Sequence, residues 1–233
     1  MRKPQHLSIL VLVLLSESTL SAGPQSPGTR LTPVSKANLC VTEGSIEETP
    51  DHRLSVNVAK MRAYVNAYTQ PMAQVRFTYL GSTPNEAPLA SGEMRRQFGL
   101  KLRAHDACNL VYAMWRIEPE SKLVVSVKNN PGEHTSVQCG NRGYQNIKPR
   151  RSSPLPSLRP GDTHTLRAQM NDAEMTVFAD NTLVWEGSVG ENALSLDGPV
   201  GIRSDNARLQ IELETGQRIG PQSSPGCRGQ ESE

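Results

Sequence analysis

The sequence predicts an all-β protein built as an antiparallel sandwich, and three observations carry that reading. Apolar and polar residues alternate over many short runs, which is the two-residue period of a half-buried strand. Turn-forming clusters such as "STPNEAP", "NNPG", "MNDAE", "ADNT" and "LDGP" separate those runs. No stretch between residues 54 and 213 sustains a 3.6-residue apolar stripe beyond two turns, so there is no helical layer to pack against a sheet.

The chain has 233 residues. It opens with Arg2 and Lys3, an apolar block from Leu7 to Leu15, and small polar residues up to Ala22. That order predicts a secretory signal over residues 1–22, because the block falls short of the roughly 20 apolar residues a bilayer span needs. No later segment is apolar enough to cross a membrane, so the expected location is secreted or periplasmic. Residues 23–39, rich in Gly, Pro and Ser, are expected to be a flexible linker. A single sandwich domain is expected over residues 40–214, followed by a flexible tail, residues 215–233, that carries Cys227.

Within the body the strands follow in order. In "KMRAYVNAY" Met61, Ala63 and Val65 share a face opposite Arg62, Tyr64 and Asn66. In "QFGLKLRAH" Phe98, Leu100 and Leu102 oppose Gly99, Lys101 and Arg103. "NLVYAMWRI" and "KLVVSV" are apolar on nearly both faces, as strands are when both sides of their sheet are covered or when one side is a ligand groove. Alternation returns in "HTLRAQM", "AEMTVFAD" and "ARLQIELE". A long loop at about 140–162 reads as an irregular excursion, since Pro149, Pro154, Pro156 and Pro160 interrupt pairing. It holds Arg142, Lys148, Arg150, Arg151 and Arg159 and has no acidic residue before Asp162, which marks it as a candidate contact for an anionic partner. The polar stretch from Arg203 to Asn206 reads as a turn into the last strand.

Four cysteines in an exported chain imply two disulfides, with three possible pairings. Cys40 and Cys227 flank the body while Cys108 and Cys139 lie within it, so outer with outer and inner with inner is expected. The outer bridge would be worth about 4 to 5 kcal/mol in the chain-entropy picture. Their spacing fits no zinc pattern. A formal net charge of +2 and a pI near 8.4 give no strong pull toward nucleic acid, and no nucleic-acid partner is expected. There is no GxSxG, HExxH or phosphate-binding loop. His105 beside Asp106, His134 beside Glu133 and His164 near Asp162 are the possible general bases, although strand neighbours point to opposite faces.

"GDTHTLRAQMNDAEMTVFADNTLVWEG" followed by "LDGPVGIRSDNARLQIEL" resembles the closing strands of the concanavalin A-like lectin/glucanase jelly rolls. Among these it is nearest to bacterial secreted domains related to family 16 glycoside hydrolases and to the 3-keto-disaccharide hydrolase family. The matching residues are His164, Leu166, Val177, Asp180, Asn181, Val184, Trp185, Gly187, Gly198, Gly201, Arg203 and Asn206. The resemblance implies a concanavalin-like jelly roll. It departs at Asn181, where relatives often have Gly, but Asn also tolerates positive φ and the hairpin should survive. It departs further in lacking the Glu-x-Asp-x-x-Glu strand of the retaining glucanases, so that activity is not expected.

The expected function is that of a non-enzymatic recognition module for carbohydrate or another cell-envelope polymer. The alternatives are a glycoside-processing enzyme of the keto-disaccharide type and a structural envelope protein without a small ligand. Sugars stack their apolar faces on aromatic rings while polar side chains bond their hydroxyls. Trp115 and Trp185 share faces with aliphatic residues and are expected in the core. Tyr112 shares a mixed face with Leu110, Met114 and Arg116, and Lys128 could line the same groove. The candidate ligand-binding set is therefore Tyr112, Arg116, Lys128, Tyr144, Arg150 and Arg151. No cofactor is expected. Calcium held by Asp197, Asp205 and Asn206 is the weak alternative, because three donors do not fill a shell of six to eight.

Overall fold

A computed structural model describes residues 30–218 and Cys227. The expected signal segment and most of the tail lie outside the described residues. Strands form β1 (Thr32–Val34), β2 (Leu39–Glu43), β3 (Glu47–Glu48), β4 (Leu54–Val56), β5 (Lys60–Val65) and β6 (Met72–Ser82). Then come β7 (Arg96–Leu102), β8 (Leu110–Glu118), β9 (Lys122–Lys128), a four-residue helix α1 (Ser136–Cys139), β10 (Tyr144–Ile147) and β11 (Arg151–Ser152). The chain closes with β12 (Thr163–Asn171), β13 (Glu174–Ala179), β14 (Thr182–Ser188), β15 (Gly201–Asp205) and β16 (Ala207–Thr215).

Two antiparallel sheets make the sandwich. The first runs β11-β14-β13-β12-β6-β16-β4-β3, with β1 also on β16, and the second runs β10-β9-β8-β7-β15-β5-β2. The expected alternation governs the first sheet. Ala207, Leu209, Ile211 and Leu213 of β16 point into the core while Arg208 and Glu212 face water. The second sheet is covered on both sides, and all five residues of β15 are buried. Between the sheets Phe77, Phe98 and Trp115 pack together, with Phe77 and Trp115 edge to face at 5.3 Å. Trp185 is also buried in this core.

Local chemistry explains the β13–β14 hairpin. Asp180 and Asn181 take φ of 47° and 66°, the left-handed pair a two-residue hairpin needs, so Asn does serve where relatives have Gly. Both disulfides pair as expected, Cys40 with Cys227 and Cys108 with Cys139.

The structure differs from the expectation at four points. Part of the segment read as a linker is a strand, since β1 pairs Thr32–Val34 with Leu213–Thr215 and continues the lane that β4 leaves after Ile211. The sandwich also runs past residue 214, with Thr69 bridging to Arg218. The long loop is a crossover fastened to both sheets, with β10 on β9 and β11 on β14. Its prolines fall between and after these paired pieces, so they end pairing without preventing it. The polar stretch 203–206 is no turn. Arg203, Ser204 and Asp205 lie in β15 between β5 and β7, and Asn206 alone bends the chain, at φ 56°.

Candidate functional site

The outer face of the second sheet is built in rows set by strand register. One row runs Asn146, Ser126, Tyr112, Lys101, Gly201 and Tyr64. The next runs Val124, Met114, Gly99, Arg203, Arg62 and Glu43. A third runs Lys122, Arg116, Gln97, Asp205 and Lys60. Because side chains alternate across a strand, these residues point away from the core that Ala113, Leu100 and Ile202 fill from the same strands. Most residues of these rows, with parts of the segments 89–95, 104–107, 134–141 and 197–199, line a cavity of about 930 Å³.

Asp205 anchors the floor. Its fully buried carboxylate accepts from Arg62 Nη2 at 2.6 Å, Arg203 Nε at 2.8 Å and Gln97 Nε2 at 2.7 Å. Burial alone would raise its pKa, but the two guanidiniums and the hydrogen bonds outweigh it and bring the group to about 2. Arg203 reaches onward to Tyr144, donating to its hydroxyl at 3.1 Å, and its guanidinium carbon lies 5.2 Å from the Tyr112 ring centre. Its cross-strand neighbour on β7 is Gly99, which β8 crowds. A Cβ there would lie 2.1 Å from the Ala113 carbonyl oxygen, so the position tolerates no side chain.

Tyr112 and Tyr144 stack with ring centres 6.0 Å apart and planes 21° from parallel. Tyr112 is buried and Tyr144 is 39% exposed, so one ring supports the other from below. Lys128 Nζ lies 5.1 Å from the Tyr144 ring centre and donates to the carbonyls of Ala107 and Gly140 at 3.2 and 3.0 Å. Desolvation pushes its pKa down. Lys101 is also buried, and burial with the Arg62 and Arg203 charges lowers its pKa to about 7.

The rim carries two histidine–carboxylate pairs. His105 Nδ1 lies 2.8 Å from an Asp197 carboxylate oxygen, and His134 Nδ1 lies 2.7 Å from one of Asp106. Burial opposes charge on His105, but its hydrogen bonds to Asp197 raise its pKa. The disulfide Cys108–Cys139 and the Thr135–Gln138 capping box hold this rim in place. His105, Asp106 and His134 each offer a ligand atom within 4.8 Å of the others, which makes them the candidate metal donors among the described residues. The remaining carboxylates of the lining are also engaged, Glu43 with Arg62 and Glu93 with Arg95.

Of the candidates read from the sequence, Tyr112, Lys128 and Tyr144 come together here. Arg116 shares the face but stands beside the cavity, across from Gln97 and Lys122. Arg150 and Arg151 are elsewhere. They lie at the edge of the first sheet, where Arg150 pairs with Glu174 and Glu186, and Arg151 pairs with Glu186. The residues of the weak calcium set each have other partners. Asp205 is taken up by two arginines, Asn206 bonds the backbone of Ala87 and Arg95, and Asp197 holds His105. Nothing in the sequence had singled out Arg62, Gln97, Lys101 or Arg203 as site residues, and Asp205 stood only in the calcium set. Arg62 and Lys101 did stand on the polar side of alternating strands, which was the one signal available.

Geometry of this kind defines the class of fold, a two-sheet antiparallel β-sandwich of the jelly-roll kind. Among solved structures, the carbohydrate-binding module CBM66 from Bacillus subtilis aligns with a TM-score of 0.51 at 10% identity, covering 75% of this chain and 91% of that one. The galectin LEC-6 of Caenorhabditis elegans aligns at 0.41 and 9% identity, over 79% and 99%. LamAcat from Zobellia galactanivorans aligns at 0.45 and 14%, over 72% and 79%. No family model matches the chain, and no curated protein matches it.

Proposed function

We propose that this chain is a secreted recognition module that binds carbohydrate in the cavity over the second sheet without turning it over. The observation that carries the reading is the Tyr112–Tyr144 stack, with one exposed ring set among Arg203, Lys128, Ser126 and Asn146. An exposed ring backed by a second ring is a firm platform for a sugar's apolar face, and the donors around it suit hydroxyls. CBM66, whose fold this chain shares, is a carbohydrate-binding module. Two disulfides suit an oxidising compartment. Among the described residues no helix is long and apolar enough to cross a membrane. The lining carboxylates are committed to basic partners, whereas glycoside hydrolysis needs one held protonated as an acid.

The test is binding of the oxidised chain, residues 23–233, to a glycan array at two salt concentrations, followed by calorimetry on the best binder. Tyr144→Ala should weaken that binding about tenfold or more, the scale of a lost aromatic platform. Absence of binding to every saccharide, or a Tyr144→Ala variant as tight as the parent, would sink the proposal. The His105–Asp197 and His134–Asp106 pairs favour a second reading, a glycoside-processing enzyme with one histidine as general base. Turnover of a glycoside that His134→Ala abolishes would put that reading first.

A further inference from the structure

Lys101 differs from the other floor cations. Arg62 and Arg203 share the Asp205 carboxylate, and Lys128 donates to two carbonyls and lies against the Cys139 sulfur. Lys101 is 6% exposed and lines the cavity, yet among the described residues it has neither an ion pair nor a hydrogen bond. Its cross-strand neighbours are Tyr112 on one side and Gly201 on the other. An ammonium group without a partner is expensive to bury. The charges facing it are Arg62 from β5, Arg203 and Asp205 from β15, and Glu43 from β2. Asp205 is already divided between the two arginines, and Glu43 lies 3.6 Å from Arg62 Nε. The floor thus has positive charge to spare, centred on an amine with open valence.

We propose that Lys101 is the anion-recognition point of the groove, holding the oxyanion of an acidic saccharide. This rests on the carbohydrate reading and names the ligand class. Desolvation first, then Arg62 and Arg203, keep the free amine near its titration point at about 7. A bound oxyanion reverses that balance by supplying the missing opposite charge. The sign follows from linkage. If the free site binds fewer protons than the occupied one above pH 7, affinity falls about tenfold for each pH unit from there until the bound amine itself titrates.

The experiment uses matched pairs, oligogalacturonate against its methyl ester and oligoalginate against its methyl ester, by calorimetry at pH 7, 8 and 9. The acids should bind at least tenfold tighter than the esters at pH 7, with the fall per unit just described. Lys101→Met and Lys101→Gln should erase both the preference and the slope. Esters that bind as well as acids, or a slope that survives both substitutions, would overturn the proposal while leaving carbohydrate binding intact. If no saccharide binds at all, the carbohydrate reading has failed by itself, and sulfate titrated against the NMR signal of the labelled Lys101 amine decides. An upward shift of its midpoint that both variants abolish upholds the anion site, and an unmoved midpoint removes it.

Discussion

Asp205 holds two guanidiniums out of water at once, so its loss is felt twice. Asp205→Asn leaves Arg62 and Arg203 buried without a counter-charge and should cost about 3 to 5 kcal/mol in urea unfolding. The same contact sets an acid limb to stability. The folded pKa, about 2, lies below the ordinary 3.8, so the contribution is present above the unfolded pKa and is lost as pH falls from about 4 through 2. By linkage that amounts to about 2 kcal/mol, visible as a decline in urea midpoint between those values. Lys101 has the opposite sign. Between about 7 and the ordinary 10.5 the unfolded chain holds a proton the folded chain has released, so stability rises with pH across that window. Lys101→Met should therefore stabilise the protein at pH 7, by up to about 4 kcal/mol, with the gain shrinking toward pH 10. A melting temperature that does not rise at pH 7 would mean the amine is better solvated than its burial implies.

At the scale of elements, the crossover between β10 and β11 shows how charge in sequence differs from charge in space. Arg150 and Arg151 stand in a run without acids, yet the pairing of β11 with β14 sets them against Glu186, with Glu174 nearby. Arg150→Glu with Arg151→Glu should leave saccharide affinity within twofold at physiological salt, because the sites lie on the other sheet and exposed charges are screened. The Cys108–Cys139 bridge acts on the rim directly. Replacing both with Ala removes a cross-link of sequence separation 31, worth about 3 to 4 kcal/mol, and frees the segment that presents His134. Thermal melting checks the first effect, and faster amide exchange from 129 to 143 checks the second. Period-two alternation made the strands legible in the sequence, and doubly apolar β8 and β9 were expected where a second face is covered or forms a groove; their residues are largely buried. What alternation could not tell was which polar face meets water and which meets a cavity. Lys101 and Arg208 look alike in sequence, and only pairing 100 or more residues apart, such as Arg62 with Asp205, separates them. A buried polar strand such as β15 is written like a turn, because burial there is secured by ion pairing and not by apolar side chains.

For the molecule as a whole, the two sheets divide the work. The first has one wet face and one dry face and supplies half the core; the second is dry on one side and carries the cavity on the other. Both tryptophans went to the dry side. Trp115 is fully buried on the inner face of β8 and Trp185 is almost so on β14, while the rings that line the groove are tyrosines. The optical behaviour of the protein follows from that separation. Tryptophan emission should be blue-shifted and poorly reached by iodide, nearly silent when a ligand settles in the groove, and strongly red-shifted when the sandwich opens. One signal therefore reports the integrity of the fold while the cavity is filled and emptied beside it.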